Sequence, residues 1–434
     1  MAELVYALAL EASSRKGLRV RVSPPAHMKE KNFCLHCDPY PNDSSHASEK
    51  LELLLHPIIM VIIDPLEGLM QKFPRLNRAL NKLIFYSFFK TLLAFRILRE
   101  VEANDTDDKL YNRSLVVVRE ARKRGIAIKP LKFFGQSTNH FSIEVNGAKN
   151  FFEGLPCLEI EHISQVDFDD KGKFKELLQQ AGLPCPNGRA FRDYLPALEF
   201  VRNNLKFPLV VKPRAGSLSK HTTCNIKTED QLQKAVAIAK IISRDFVVEE
   251  FFEGDVHRVT LVNGNLAAAC LREPPNVVGD GRSTIRELIG VKNLNPVRGE
   301  MHQRNFTLHK IIVTGRTDSL LAAQNLDLDS VPSVGAKIYL HDKVILACGA
   351  DIHDTTDLVH PENKVLFKKV SELCRAPLIG IDFITPDISK PYREQPCAII
   401  EVNSLPYIDM HHYPVTGQAR NVAGHILDYY VSRH

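Results

Sequence analysis

The chain has 434 residues, 44% of them hydrophobic and 25% charged, with 22 Gly, 25 Pro and no Trp. These proportions exclude a collagen-like, a wholly disordered or a small disulfide-framework protein, and the length accommodates two or three domains. The formal net charge is +5, too slight an excess for a nucleic-acid footprint. An odd number of scattered cysteines and no secretory leader favour a reducing cytoplasm.

Met1–His27 carries four basic residues (Arg15, Lys16, Arg19, Arg21) and two acids (Glu3, Glu11). Its residues can be encoded by a transfer-RNA gene translated in frame, which makes Met28 the better start. This extension, 1–27, is expected to be spurious or disordered. Residues 28–104 read as a polar tail followed by a helical extension. Cys34-Leu-His-Cys37 has CxxC spacing, but no second pair follows it, so a solvated tail is expected there rather than a metal site. His56–Asp64 is too short to span a bilayer. Leu83–Leu98 is apolar but interrupted by Lys90 and Arg96. It is expected to be a helix packed within the protein or in a homo-oligomer, with peripheral membrane contact as its sharper alternative.

Residues 105–165 are expected to form a small α/β unit. DDKLYNRSLVVVREARKRG reads as a helix stopped at Gly125, and Ile126–Phe134 as a strand. HFSIEVNGAKNFFE alternates around Asn146-Gly147, the pair that a tight hairpin turn wants. DDKGKFKELLQQAGLPCPNG then reads as a helix ended by Gly182 and Pro184.

The chemistry lies between Phe207 and Asn403. FPLVVKP is a strand delivering Lys212, followed by the loop RAGSLSKH, a strand and a helix. DFVVEE is a buried strand ending in Glu249-Glu250, and a second hairpin is expected at Asn263-Gly264. GIDFIT and AIIEVN bring Asp382, Glu401 and Asn403 onto strands. Glu401 and Asn403 are two apart, so both project to one face. A carboxylate beside an amide oxygen, with a second carboxylate near, suits Mg2+, which finishes its octahedron with phosphates and water. Lys212, Arg258 and Arg272 can then offset phosphate charge. His257, His309, His353 and His360 read as structural or surface histidines.

In this order the segments resemble the ATP-grasp family. DDKGKFKELLQQAGLPCPNG is similar to that family's DK…AGIPVPxG entry. HRVTLVNG, VVGDGRSTIRELI, LDSVP, DTTDLVHPEN, GIDFITPDIS, IIEVN, Met410-His411 and ARNVA are similar to the ATP-grasp domain of the cyanophycin synthetases, over roughly residues 166–426. The resemblance implies an α+β ATP-grasp domain at 166–434, preceded by the small α/β unit and the helical extension. It implies ATP and Mg2+ (or Mn2+) as cofactors. Lys171, Lys212, Gly216, Ser217 and Ser219 would meet the nucleotide phosphates, and Glu249, Glu250, Phe251 and Asp255 the adenosine. Asp382, Glu401 and Asn403 would hold metal. Arg272 and Arg258 would stabilise the transferred phosphoryl, and His411 would touch substrate or help deprotonate the amine.

The implied activity is amide formation between small amino-acid or peptide substrates through an acyl phosphate. The alternatives are an ATP-grasp ligase with another acceptor (thiol, or D-Ala–D-Ala-like) and a catalytically silent nucleotide-binding regulator. Three departures stand out. The chain stops at His434, before the C-terminal ligase module that a cyanophycin synthetase carries, so polymerisation is not carried over. The phosphate loop RAGSLSKH has only Gly216. The acid expected after the hinge glycine falls at Val256, with Asp255 displaced by one.

Overall fold

The structure, a computed structural model, describes residues 35–37, 46, 87, 89–156, 170–214 and 219–434. They divide into two compact units: Ala190–Val248 with the described residues before Leu92, and Leu92–Arg189 with Glu249–His434.

Of the apolar stretch 83–98, residues 83–86 and 88 lie outside the described residues. Helical backbone runs through 89–94 and then stops, short of the expected end. Arg96 takes a left-handed φ of 56°, its N–H bonds Leu93 O, and the Ile97 N–H reaches Leu92 O. That pattern is a Schellman stop with arginine in the usual glycine position. Leu98–Glu100 is already a strand. No helix among the described residues is long and apolar enough to cross a membrane.

In the larger unit the helix Asn112–Lys123 and the strands Ala127–Phe133, Gln136–Val145 and Ala148–Glu153 form where expected. With Leu98–Glu100 they make a four-stranded antiparallel sheet. Asn146 and Gly147 both have positive φ, 51° and 76°, as do Asn263 and Gly264 at 49° and 74°. These are the geometries that a two-residue hairpin demands and that Asn-Gly adopts at little cost. The helix Lys171–Gln180 starts on Asp170, whose carboxylate accepts from the Gly172 and Lys173 N–H groups, and ends where Leu183 N–H bonds Leu178 O.

The central sheet of this unit has five antiparallel strands in the order Asp351–Asp354, Asn265–Glu273, Asp255–Val262, Leu378–Thr385, Ala398–Asn403. One face packs Val259, Leu261, Ile379, Ile381 and Phe383 against Leu366, Phe367 and Val370 of the helix Pro361–Cys374. A second core joins Leu115, Val118, Phe141 and Ile143 to Ala268, Leu378, Ile426 and Leu427. A buried polar chain ties the same regions together. Asn112 Nδ2 donates to Thr307 Oγ1, which donates to Asp409 Oδ2, at 2.8 and 2.6 Å.

The smaller unit is built on the strand order Gly188–Phe191, Phe246–Glu250, Leu209–Pro213, Thr223–Ile226. Helices Tyr194–Asn204 and Glu229–Ala239 supply its core with Val201, Leu232 and Val236 around Leu209, Val211 and Phe246.

Candidate active site

Strand register assembles the site. Asp354, Cys270, Arg258, Asp382 and Glu401 are successive partners across the five strands. Directly opposed residues project to the same side, so this row lies on one face, opposite the Phe367 core. Thr260, Arg272 and Asn403 sit two positions along their strands from Arg258, Cys270 and Glu401, and share that face. Gly380, opposite Asn403, leaves the room this needs. A Cβ there would stand 2.6 Å from Pro406 Cβ and 3.2 Å from Arg258 Nη1.

Asp382 lies between the two arginines. Arg258 Nε donates to its Oδ1 at 2.5 Å and Arg272 Nη2 to its Oδ2 at 2.7 Å. Burial alone would raise this carboxyl's pKa, but the two guanidiniums outweigh it and hold the group below the usual carboxylate range. Glu401 stands on the next strand, with Lys171 Nζ 3.9 Å from its Oε2. A small pocket beside them is lined by Lys171, Phe174, Cys185 and Glu401. Within this unit the structure thus brings together five sites expected from sequence: Arg258, Arg272, Asp382, Glu401 and Lys171, with Asn403 on the same strand as Glu401.

The donor set can be tested for a divalent cation. Glu401 and Asn403 offer hard oxygen ligands side by side, as Mg2+ requires. The Asn403 side-chain nitrogen is buried with no hydrogen-bond partner among the described residues. Turning the amide over would present its oxygen there instead. Those two residues fit. Asp382 accepts from one arginine at each oxygen and keeps a further lone pair on each, so it too can serve a cation. Arg258 Nη1 and Arg272 Nε are also buried without an acceptor among the described residues. Such donors cost about 1–3 kcal/mol each when left unmatched.

At the end of the strand Phe246–Glu250, the Glu249 carboxylate is buried against Lys175, whose Nζ is 2.6 Å from Oε2 and also donates to Pro186 O at 2.9 Å. Lys175 was not singled out in the sequence. Its only trace there is its place one helical turn beyond Lys171. Glu250 closes the same corner, accepting the Asn187 N–H at 3.0 Å. Phe251 is half-buried, and Asp255 is exposed where its strand begins, opposite Thr385. In the smaller unit, Lys212 is buried on Leu209–Pro213 and Ser219 takes a φ of 54°. Gly216 and Ser217 lie outside the described residues.

His411 is set apart from these residues by its surroundings. It is buried, its Nε2 is 2.7 Å from Thr260 Oγ1, and burial followed by the nearby Arg258 charge pushes its pKa down to about 3. A base that weak takes little part in deprotonating an amine near neutral pH. His257 is likewise buried and pushed down to about 4, chiefly by desolvation.

Other motif residues bond to one another. Arg420 of ARNVA forks onto DTTD, with Nη2 2.7 Å from Asp354 Oδ2 and 2.6 Å from Asp357 Oδ2. In GDGRST, Asp280 Oδ1 accepts the Arg282 and Ser283 N–H groups. Thr284 and Glu287 cap the helix Ile285–Asn293 in a capping box. LDSVP packs on that turn: Gly281 N–H bonds Pro332 O, and Ile285 N–H bonds Ser330 O.

No family model matches the chain. It is 34% identical over 320 residues to the cyanophycin synthetase of Trichormus variabilis, 72% of this chain and 34% of that protein. It is 39% identical over 262 residues to that of Synechocystis, 60% of this chain and 30% of that protein. The chain therefore spans about a third of the length of the curated relatives it matches. Among solved structures, the bifunctional glutathione synthetase of Pasteurella multocida aligns with a TM-score of 0.58 at 23% identity, covering 75% of this chain and 44% of that one. The chain has the α+β ATP-grasp fold, and its sequence resembles the corresponding part of cyanophycin synthetases.

Proposed function

We propose that this chain is an ATP- and Mg2+-dependent ligase that joins a carboxylate to an amine. The observation that carries the reading is the strand-register row in which Arg258, Asp382 and Glu401 are neighbours, with Arg272 and Asn403 on the same face. That row sets rigid cations beside hard oxygen ligands, as phosphoryl transfer requires. The similarity to cyanophycin synthetases supports the same class of reaction.

A substrate carboxylate oxygen attacks the γ-phosphorus of ATP and ADP leaves, giving an acyl phosphate. The amine nitrogen then attacks the acyl carbon, the C–O bond to phosphate breaks, and the surplus proton passes to phosphate or water. Asp382, Glu401 and Asn403 would hold Mg2+, which when bound neutralises phosphate charge. Lys171 would contact the phosphates. Arg272 and Arg258 are held in fixed directions by Asp382, so they need no reorganisation to meet charge that develops on the phosphoryl and acyl oxygens. His411 holds the Thr260 hydroxyl.

The test is purified protein with ATP, Mg2+ and pools of amino acids, scoring ADP and new masses. ADP release that depends on one carboxylate and one amine, with a product of summed mass less water, is expected. Nucleotide binding with no ADP from any pool would overturn the proposal and favour a silent nucleotide-binding regulator.

A further inference from the structure

The smaller unit contains a cluster that the ligase reading leaves unused. Cys37 ends a short 3-10 turn, Leu35–Cys37. Its Sγ lies 3.1 Å from His221 Nε2 and 4.0 Å from His46 Nε2. The His46 and His221 rings meet edge to face, 4.9 Å between centroids. Exposures are 0%, 2% and 0% for Cys37, His46 and His221, so the tail expected to be solvated is buried at these points.

Three further features shape this cluster as a donor set. First, His221 Nδ1 is 2.9 Å from Ile238 O. A carbonyl can only accept, so Nδ1 carries the proton and Nε2 presents its lone pair toward Cys37, the arrangement that fixes metal-binding histidines. Second, the backbone is bent to make the meeting. Ser219 and His221 both take left-handed φ, 54° and 53°, and the His221 N–H bonds His36 O at 3.0 Å. Third, a tetrahedral zinc with Zn–S of about 2.3 Å and Zn–N of about 2.0–2.1 Å sets S···N separations of about 3.5–3.6 Å. The two observed separations straddle that value.

We propose that Cys37, His46 and His221 bind one structural Zn2+. Thiolate plus two imidazoles is a zinc-type donor set, and carboxylate-seeking Mg2+ is excluded from it. The burial also argues against a reactive Cys–His pair, since no substrate reaches a thiol that is 0% exposed. By sequence spacing Cys34 is a further candidate donor, but it lies outside the described residues and the proposal rests on the other three. The consequence is local: residues 37 and 46 are tied to the residue that closes RAGSLSKH. Where that loop covers nucleotide phosphates, a point that rests on the proposed function, the metal fixes its downstream end.

The full chain, purified from zinc-supplemented medium without nucleotide, is tested for metal content and by Co2+ replacement. About one zinc per chain is expected, with an intense thiolate-to-cobalt charge-transfer band. Cys37→Ser should remove at least half of that band's intensity and weaken cobalt binding at least tenfold, and His221→Ala should weaken it similarly. Zinc below about a tenth of an equivalent, with no thiolate band in the wild-type cobalt protein, would overturn the proposal. That wild-type spectrum needs no variant to fold. Because the Glu401 site has no thiolate, the band separates this site from the catalytic one. Failure of the ligase assay leaves the result intact.

Discussion

Replacing Asp382 by Asn tests whether the two arginines depend on it. The change preserves shape and removes one charge. The amide oxygen still accepts from one guanidinium, but the amide N–H group then faces the other. Asp382 now accepts two charge-assisted bonds, at 2.5 and 2.7 Å, from arginines whose side chains are 6% and 15% exposed. Breaking one partner of such a buried arrangement costs about 3–5 kcal/mol, since the remaining charges stay buried without compensation. Urea unfolding at pH 7 should read a loss of that size for Asp382→Asn. The triple change Arg258→Met, Arg272→Met, Asp382→Leu should recover most of it, because replacing a whole buried ion group by apolar residues is often near neutral. The pH dependence supplies a second check. A carboxylate with a depressed folded pKa contributes stability above the ordinary range near 3.9, and that stability is lost as pH falls through the folded value. The gap between wild type and Asp382→Asn should therefore close on acidification below about pH 4. A loss under about 1 kcal/mol at pH 7, or a gap that widens in acid, would refute the reasoning.

Glu401→Ala should lower kcat at least a hundredfold with little change in unfolding midpoint, through loss of a metal oxygen; turnover within twofold of wild type would show the ligand assignment is wrong. His411 is neutral when folded and has a pKa of about 3, so stability is lost as pH falls from about 6.5, where the unfolded imidazole protonates, toward the folded value. His411→Gln should remove a slope of up to about 1.4 kcal/mol per pH unit in that window, leaving the part owed to His257 and to His412, whose pKa burial also pushes down to about 4; an unchanged slope in urea titrations would count against its burial as neutral imidazole. Arg420→Lys should lose the two-armed contact to Asp354 and Asp357 and lower Tm by a few degrees, mostly through buried Asp354 because Asp357 is largely exposed. Gly279→Ala would place a Cβ 2.3 Å from Ser333 O and 2.7 Å from Pro332 O, and should cost about 1–3 kcal/mol in thermal or urea unfolding.

Local structure was largely legible in the sequence where local chemistry decides it. Both Asn-Gly hairpins, the helix 112–123 and the strand delivering Lys212 follow from turn residues and periodicity. The apolar stretch 83–98 was misread at its end, because arginine rather than glycine occupies the left-handed position that stops the helix. Site residues were legible only as a set of types. Nothing in the sequence says that Asp382 meets Arg258 across 124 positions, because that requires strand pairing. Lys175 was missed for the same reason: its partner Glu249 belongs to another element. The Cys37–His46–His221 cluster was hidden further still, since its third member lies 184 residues from the first and shares no motif with it.

That dependence on pairing explains why the site is robust although its members are scattered. Along Leu378–Thr385 the residues alternate, with Ile379, Ile381 and Phe383 in the core and Gly380 and Asp382 on the polar face. A one-residue slip would turn Asp382 into the Phe367 core and push Ile381 and Phe383 among the arginines. Burying a side chain of that size is worth about 1.5–3 kcal/mol, and three would be lost together with the ion group. The apolar residues between the functional ones therefore fix which charges meet. In this sheet the chemistry is positioned by hydrophobic burial on the opposite face, and the charged row, once aligned, adds its own penalty to any other register.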